Sequence, residues 1–184
     1  MSDIDLNNTH LLEDFNSAES ELAKTLVLGW CAAPDWAARL CDARPFATLD
    51  DLINTACELW NHCSEADNLA AFSSHPLIGD VALLRKKYAT QANAEQGQVL
   101  EADEQVLHQL AIQNAAYSKR HGFTFIVFAT GKSAAEMLDL LNARIGNSRA
   151  EELANARVEQ EKIMLLRLRQ TFAGTSTTHV SNNR

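Results

Sequence analysis

The amino-acid sequence predicts an all-α protein: a single-domain, helical bundle-like fold of about eight helices. Helix signals dominate, and turn-forming residues are scarce, with 7 glycines and 3 prolines among 184 residues. Only residues 123–129 have the composition of a strand, and no second segment of comparable quality could pair with them. This length suits one hydrophobic core rather than two. We therefore expect one domain over residues 1–184, with its core at about 20–172 and flexible residues at the N-terminus and in the tail 174–184.

The first half of the chain carries signals for several short helices. Residues 20–28 combine leucines with helix formers, and Pro34 suits the first turn of the next helix. Residues 48–51 resemble a capping box, and Ser64 can cap a further helix that ends near Phe72. The helix after the capping box has an apolar stripe at helical spacing, formed by Leu52, Ile53, Ala56, Cys57, Trp60 and Cys63.

The second half is expected to hold three more helices. Apolar positions keep helical spacing over about 103–121, until Gly122 ends the helix. Capping boxes at residues 133–136 and 148–151 open the last two helices. The final helix should run over about 149–171, with an inward face formed by Leu153, Ala156, Ile163, Met164 and Leu166.

Residues 123–129 are interpreted as an extended segment outside any sheet. Its β-branched, aromatic and small residues lie between Gly122 and Gly131 and would ordinarily predict a buried strand. A strand without a partner leaves its backbone N–H and C=O groups unpaired. We therefore expect the side chains to pack in the core and at least one backbone group to face a ligand.

Composition excludes several classes of partner. The formal charge of −8, from 16 basic and 24 acidic residues, leaves no basic tract for nucleic acid. No apolar run approaches the ~20 residues of a membrane span, and the first residues lack the features of a signal peptide. We therefore expect a cytoplasmic protein with neither a nucleic-acid nor a membrane partner.

The cysteines and the known cofactor motifs give no sign of a prosthetic group. Cys31, Cys41, Cys57 and Cys63 are expected to be buried or half-buried free thiols, because a chain with this much core does not need disulfides. Their spacing matches no paired zinc-ligand pattern. A glycine-rich phosphate loop and a nucleophile elbow are both missing. The sequence therefore predicts no metal and no organic cofactor.

His75 and Glu95 form the leading candidate for acid–base chemistry. His75 precedes a proline, which pushes its backbone away from helical geometry and favours a helix end where the ring can face a cleft. Imidazole titrates near neutral pH, and a carboxylate near it can tune or share its proton. Glu95 is followed by Gln96, whose amide can both donate and accept hydrogen bonds.

These residues belong to an ordered set of landmarks that resembles a known family. The landmarks are His75-Pro76, Glu95-Gln96, residues 114–127, Arg144 with the acidic, alanine-rich helix after it, and residues 163–168 with Arg167. Together they resemble the 2-oxo-4-hydroxy-4-carboxy-5-ureidoimidazoline (OHCU) decarboxylase family, all-helical enzymes that complete the conversion of urate to (S)-allantoin. The resemblance covers roughly Leu22 to Gln170.

The resemblance implies a set of site residues. His75 matches the catalytic histidine and Glu95 its acidic partner. The implied substrate-binding residues are Pro76, Ala92, Asn93, Gln96, Phe123, Thr124, Phe125, Ile126, Val127 and Arg167.

Two of these positions depart from the family pattern. Ala92 stands where serine is common, and Thr124 stands where proline is common. Both departures concern substrate affinity more than reaction type, and Thr90 or Asn93 is available to replace the lost hydroxyl. Arg167 keeps two interpretations, either a ligand for an anionic group or a partner of a nearby glutamate such as Glu161 or Glu159.

The resemblance also implies a function: a cofactor-free carboxy-lyase that converts OHCU to (S)-allantoin and CO2, acting as a homodimer. The substrate carries its own imine as an electron sink. Two alternatives remain open from the residues themselves. The His–Glu pair could activate water in a hydrolase of a related cyclic ureide, or the chain could be a non-catalytic helical interaction module.

Overall fold

The computed structural model describes residues 3–75 and 97–173, with side chains described for residues 9–75 and 104–173. Within these ranges the regular elements are eight α-helices and no strand, which confirms the all-α prediction. No described helix combines the length and apolar character needed to cross a membrane. The helices are α1 (Asp3–Ser17), α2 (Ser20–Trp30), α3 (Pro34–Asp42), α4 (Leu49–Asn61), α5 (Glu65–Ser73), α6 (Gly97–His121), α7 (Ala134–Arg144) and α8 (Arg149–Phe172).

Capping side chains determine where four of these helices begin. The N-cap side chains of α4, α5 and α7 each accept a hydrogen bond from the backbone N–H three residues on, and the acidic side chain there accepts from the N-cap N–H. Ser148 and Glu151 make the same exchange before α8, at 2.8 and 3.3 Å. These bonds satisfy N–H groups that a helix start leaves unpaired. The predicted starts are confirmed at Thr48–Asp51, Ser64–Asp67, Ser133–Glu136 and Ser148–Glu151.

Helix α6 ends where the sequence predicts, at Gly122. The Gly122 N–H donates to the Ser118 carbonyl at 2.9 Å, and its φ of +79° lies in the left-handed region that glycine adopts without a Cβ penalty. The next residues are 123–129, so the end of α6 sets where that segment begins.

The chain forms two compact units, of which the first comprises the described parts of Met1–Cys63 and Ile163–Arg184. Phe15, Trp30 and Phe172 pack together with ring centroids 5.5 to 6.3 Å apart. The Trp30 indole N–H donates to the Thr171 hydroxyl at 2.9 Å. Because Leu12 and Phe15 are buried, the core begins earlier than the expected residue 20.

The second unit, Ser64–Lys162, contains α5, α6, α7 and the first part of α8. Helix α6 packs against α7. Tyr117 of α6 lies 6.0 Å from Phe123 and 5.1 Å from Phe125, measured between ring centroids. The aromatic rings of 123–129 thus join the core of this unit. The expectation of one domain over the whole chain stays a prediction.

Residues 123–129 lie outside any sheet within the described part of the chain, as predicted. Phe123, Thr124, Phe125 and Ile126 are buried, and Val127 is half-buried. The predicted core packing of these side chains is therefore confirmed. The four cysteines are also free thiols, two of them buried and two half-buried, as expected.

The buried face of α8 differs from the predicted one. Its fully buried residues recur every fourth position: Glu152, Ala156, Gln160, Met164, Leu168 and Phe172. Ala156 and Met164 were expected there, whereas Leu153, Ile163 and Leu166 are only half-buried. The prediction was wrong at these three positions because it counted apolar residues alone, and two members of the buried row are polar.

Candidate active site

His75 lies immediately beyond the C-terminal end of α5, and its side chain is half-buried. The His75 N–H donates to the Phe72 carbonyl at 3.1 Å. Ser74 closes the last turn, with its hydroxyl donating to the Ala71 carbonyl at 2.7 Å. The next residue in the sequence is a proline, which disfavours helical geometry at His75. The imidazole is thus carried on a helix end, as the sequence predicts.

The His75 ring is hydrogen-bonded to a residue that the sequence did not single out. Its Nε2 atom lies 2.7 Å from Oε1 of Gln160 on α8, 85 residues away in the chain. Gln160 is completely buried. The one sequence signal for it is indirect: on a long helix, Gln160 stands in a row at four-residue spacing whose other members from Ala156 to Phe172 are apolar.

The segment 123–129 is packed against the helix that carries His75. Phe72, three residues before His75, contacts Phe123 with ring centroids 5.4 Å apart. This contact places the start of the segment beside α5. The structure therefore brings His75 and one end of the predicted substrate-binding segment into the same unit.

Side chains of α7 and α8 hold the other end of the segment by its backbone. The Phe128 N–H donates to Glu159 at 2.6 Å, and the Ile126 carbonyl accepts from Arg144 at 3.0 Å. The Phe128 carbonyl accepts from Lys132 at 2.9 Å. The partners of these three backbone groups are side chains of this chain, not a ligand. The expectation that another backbone group of the segment faces a ligand stays a prediction.

Behind Arg144 lies a buried polar cluster centred on Glu152. The Glu152 carboxylate accepts hydrogen bonds from Tyr117 at 2.5 Å and from Arg144 Nε at 2.9 Å. The side-chain amides of Asn147 and Asn155 donate to its other oxygen at 2.7 and 2.8 Å. Arg144 Nη2 also lies 2.8 Å from Glu152 Oε2. Glu152 is thus a fully buried carboxylate surrounded by donors.

The charge state of this cluster follows from its contacts. Burial alone would raise the pKa of Glu152, but hydrogen bonds from Arg144, Tyr117 and the two asparagines outweigh it and lower the pKa to about 2. Burial and the hydrogen bond to Glu152 raise the pKa of Tyr117 above its ordinary value. Glu152 therefore stays ionised and Tyr117 neutral near pH 7. The resulting ion pair holds Arg144 where it can donate to the segment.

Glu159 is the second carboxylate that holds the segment. Burial opposes its ionisation, but hydrogen bonds from Lys162 and from the Phe128 N–H lower its pKa below the ordinary value. Its other oxygen lies 2.5 Å from Lys162 Nζ. The anchor on Phe128 is therefore a charge-assisted bond near neutral pH.

A cleft of about 450 Å³ opens on the Phe128 end of the segment. His75 is not among its described lining residues, so this cleft does not by itself join the histidine to the segment. Three of its lining side chains are cationic, but Arg144 is paired with Glu152 and Lys162 with Glu159. The lining residues are Val127, Phe128, Lys132, Leu140, Arg144, Asn155, Val158, Glu159 and Lys162.

The remaining predicted site residues fall into two groups. Arg167 belongs to the first unit, where its Nη1 atom lies 3.5 Å from the Gly29 carbonyl and 3.4 Å from the Trp30 carbonyl. Its alternative partner Glu159 instead pairs with Lys162. The second group lies outside the described residues and consists of Pro76, Ala92, Asn93, Glu95 and Gln96.

Comparison with known proteins shows which family the chain belongs to. A sequence model of the family described as OHCU decarboxylase matches residues 16–169, most of the chain. The chain belongs to the OHCU decarboxylase family. This membership confirms the resemblance found in the sequence.

Individual OHCU decarboxylase relatives agree with this membership. The chain is 32% identical over 149 residues to the 2-oxo-4-hydroxy-4-carboxy-5-ureidoimidazoline decarboxylase of Amia calva, covering 78% of this chain and 83% of that protein. It is 34% identical over 147 residues to the uric acid degradation bifunctional protein TTL of Arabidopsis thaliana. That match covers 78% of this chain but 45% of the Arabidopsis protein, so the chain corresponds to about half of that relative.

Two solved structures share the fold. A crystal structure of an OHCU decarboxylase in the presence of (S)-allantoin has a TM-score of 0.68 and 32% identity, covering 85% of this chain and all of the other. A crystal structure of an (S)-allantoin synthase has a TM-score of 0.63 at 18% identity, over 87% of this chain and 53% of that one, which shows the fold alone.

Proposed function

We propose that this protein is a cofactor-free carboxy-lyase that converts OHCU to (S)-allantoin and CO2 in urate degradation. The observation that carries the proposal is His75, the family-motif histidine. It lies just beyond a helix end, half-buried, in contact with Gln160 and three residues after Phe72, which contacts the 123–129 segment. Membership of the OHCU decarboxylase family over residues 16–169 supports the substrate class.

The substrate supplies the electron sink for this reaction. One ring carbon carries the carboxylate and a hydroxyl, and the neighbouring ring carbon is part of an imine. When the bond to the carboxylate breaks and CO2 leaves, its electron pair forms a C=C bond and the imine electrons move to nitrogen, which takes a proton. Loss of the hydroxyl proton and protonation of the former imine carbon then give the ring carbonyl and the stereocentre of allantoin. One proton is taken up overall.

The protein's task in this scheme is to orient the ring and to move protons. We assign His75 as the base that removes the hydroxyl proton, and Glu95 as the carboxylate that binds ring or ureido nitrogens and stabilises the imidazolium. Proton transfer of this kind typically contributes ~10²–10⁴-fold. Delivery of a proton to one ring face gives the (S) product.

The proposed substrate-binding set follows the sequence prediction. Arg167 would bind an anionic group or a carbonyl, and Gln96 the ureido arm. The anchored segment adds backbone groups of Phe123, Thr124, Phe125, Ile126 and Val127. Pro76, Ala92 and Asn93 complete the set. A homodimer and a cytoplasmic location are further proposals, which light scattering and fractionation of the source cells would test.

The assay uses OHCU made freshly from urate and uricase. We expect this protein to accelerate the loss of substrate absorbance, to release one CO2 per substrate and to give optically active allantoin. Racemic product at the spontaneous rate would contradict the proposal. Accelerated loss of OHCU without CO2 would instead support the hydrolase of a cyclic ureide.

A variant pair separates catalysis from the interaction module. His75→Asn should lose the acceleration, whereas His108→Asn should keep it, because His108 is an exposed histidine of the same unit. Equal activity in both variants would remove His75 from the mechanism.

A further inference from the structure

Gln160 occupies a position where a polar side chain has a cost. It is completely buried in the row that continues with Ala156 on one side and Met164 on the other. A buried amide is unfavourable unless it is hydrogen-bonded, and an apolar side chain of similar volume would pack there without that requirement. The 2.7 Å contact with His75 gives the amide a partner, and that partner is the proposed catalytic base.

The chemistry of the contact selects one form of the imidazole. An amide oxygen only accepts hydrogen bonds, so His75 Nε2 must carry a hydrogen to donate to Gln160 Oε1. In the neutral ring the proton-accepting atom is then Nδ1. When Nδ1 takes a proton, Nε2 keeps its hydrogen and the same bond persists. Gln160 therefore holds the ring through a proton-transfer cycle and adds no charge beside it.

The neighbouring residue on α8, Glu159, holds the segment at residues 123–129. Glu159 holds the Phe128 N–H of the segment at 2.6 Å, while Gln160 holds the His75 ring. Adjacent residues of one helix thus fix the predicted base and the residue that directly follows the predicted substrate-binding backbone. Their separation is set by helix geometry and not by a loop.

From this geometry we infer that Gln160 is a positioning residue for the reaction, which fixes His75 in its Nε2–H form and assigns proton transfer to Nδ1. The inference deepens the proposed function and rests on it. It gives a role to a residue outside the sequence-predicted site.

The decisive variants change the contact in different ways. Gln160→Met keeps the volume but removes the acceptor, and Gln160→Asn keeps the amide but is shorter by one methylene. Gln170→Met is the matched control, because Gln170 is an exposed glutamine of the same helix. Each variant is first checked for parental helical content and melting temperature.

We expect Gln160→Met and Gln160→Asn to lower kcat by about 2- to 10-fold, as for loss of one hydrogen bond, with KM within 2-fold of the parent. Gln170→Met should match the parent. A kcat within 2-fold of the parent in both Gln160 variants, or an effect confined to KM, would overturn the inference. If Gln160→Met does not fold, Gln160→Asn alone decides.

A spectroscopic measurement reads the same contact without substrate. ¹⁵N-labelled protein reports which His75 nitrogen carries the hydrogen, with the signal assigned by its loss in His75→Asn. We expect the Nε2–H form in the parent and a mixture in Gln160→Met. The Nδ1–H form in the parent would overturn the inference even if the enzyme is active. Parent protein without decarboxylase activity but with the Nε2–H form would count against the proposed function and leave the positioning contact intact.

A negative charge introduced at residue 160 gives a third test of the contact with His75. In Gln160→Glu a carboxylate faces the imidazolium, and an opposite charge at this distance raises a pKa by roughly 1–3 units. Because the base must be neutral, the acid limb of the kcat/KM–pH profile should move upward by about 1 unit or more. An unmoved limb in a folded, active variant would contradict the contact.

Discussion

Replacing Glu152 by glutamine tests how the segment at residues 123–129 is held. The substitution keeps the side-chain shape but removes the charge that neutralises Arg144, whose side chain is 14% exposed. A pKa of about 2 for Glu152, against an ordinary value of 4.5, corresponds to about 3 kcal/mol of stabilisation of the ionised form in the folded state. Removing one member of a buried ion pair typically costs about 3–5 kcal/mol. We therefore expect the free energy of unfolding to fall by about 3 kcal/mol at pH 7.

The pH dependence of this loss has a definite sign. The folded-state pKa of Glu152 is lowered, so its contribution is fully present above pH ~4.5 and is lost as the pH falls toward ~2. The stability difference between the parent and Glu152→Gln should therefore shrink over this window. Urea denaturation followed by circular dichroism, at pH 7 and at several values between 5 and 2.5, measures it.

Two further variants make the Glu152 experiment specific. Glu151→Gln is the control, because Glu151 is exposed and glutamine also serves in a capping box, so its cost should be below about 0.5 kcal/mol. Arg144→Met added to Glu152→Gln removes the uncompensated charge and should cost less than Glu152→Gln alone. Two results together would contradict this reasoning. The free energy of unfolding of Glu152→Gln would stay within about 1 kcal/mol of the parent at pH 7, and it would fall with decreasing pH as steeply as that of the parent.

Four other predictions concern activity. His75→Asn should lower kcat by about 10²–10⁴-fold with little change in melting temperature. A loss of kcat below 10-fold in steady-state assays would contradict the role of His75 as the base. Glu95→Gln should act on kcat, and an effect on KM alone would make Glu95 a binding residue. Glu159→Ala leaves the Phe128 N–H without its carboxylate partner, so KM should rise and urea titration should show a loss of about 1–3 kcal/mol in the free energy of unfolding. Exhaustive chelation should leave turnover unchanged, and restoration of lost activity by one metal would refute this.

The helix starts were predictable because their signals are local. A capping box such as Ser133–Glu136 spans four residues and satisfies its own backbone groups, so no distant contact is needed to recognise it. Gly122 is equally local, since only its own φ of +79° is at issue. Helix α1 lacked such signals, and its place in the core depends on Phe15 meeting Trp30 and Phe172.

The face of α8 was predicted less well, and the reason is physical. A prediction from periodicity counts apolar residues only. A buried row with four-residue spacing can nevertheless include a polar residue whose hydrogen-bond partners come from other parts of the fold. Glu152 is buried because Tyr117 and Arg144 donate to it, and both come from other helices. These partners lie 35 and 8 residues away, so the burial of Glu152 is a tertiary property.

The site also has features that the local sequence predicts and features that depend on distant residues. The place of His75 at a helix end followed from the adjacent proline, and the non-sheet character of 123–129 followed from the lack of a second strand. The partner of the His75 ring did not, because Gln160 is 85 residues away and has no motif of its own. The side-chain partners of the segment's backbone were not predicted either, because two of them, Arg144 and Glu159, lie 18 and 31 residues from the groups they bond.

The side-chain partners of these backbone groups explain how the segment can lie in a core without a sheet. An extended stretch between helices needs donors and acceptors for its backbone, and here Arg144, Lys132 and Glu159 supply three of them. Glu152 lies two helical turns before Glu159, about 10 Å along α8, and holds Arg144. Helix α8 thus fixes the segment directly through Glu159 and indirectly through Glu152, and it fixes His75 through Gln160. A change at Glu152, Glu159 or Gln160 should therefore alter the geometry of the site, even where the residue never touches the substrate.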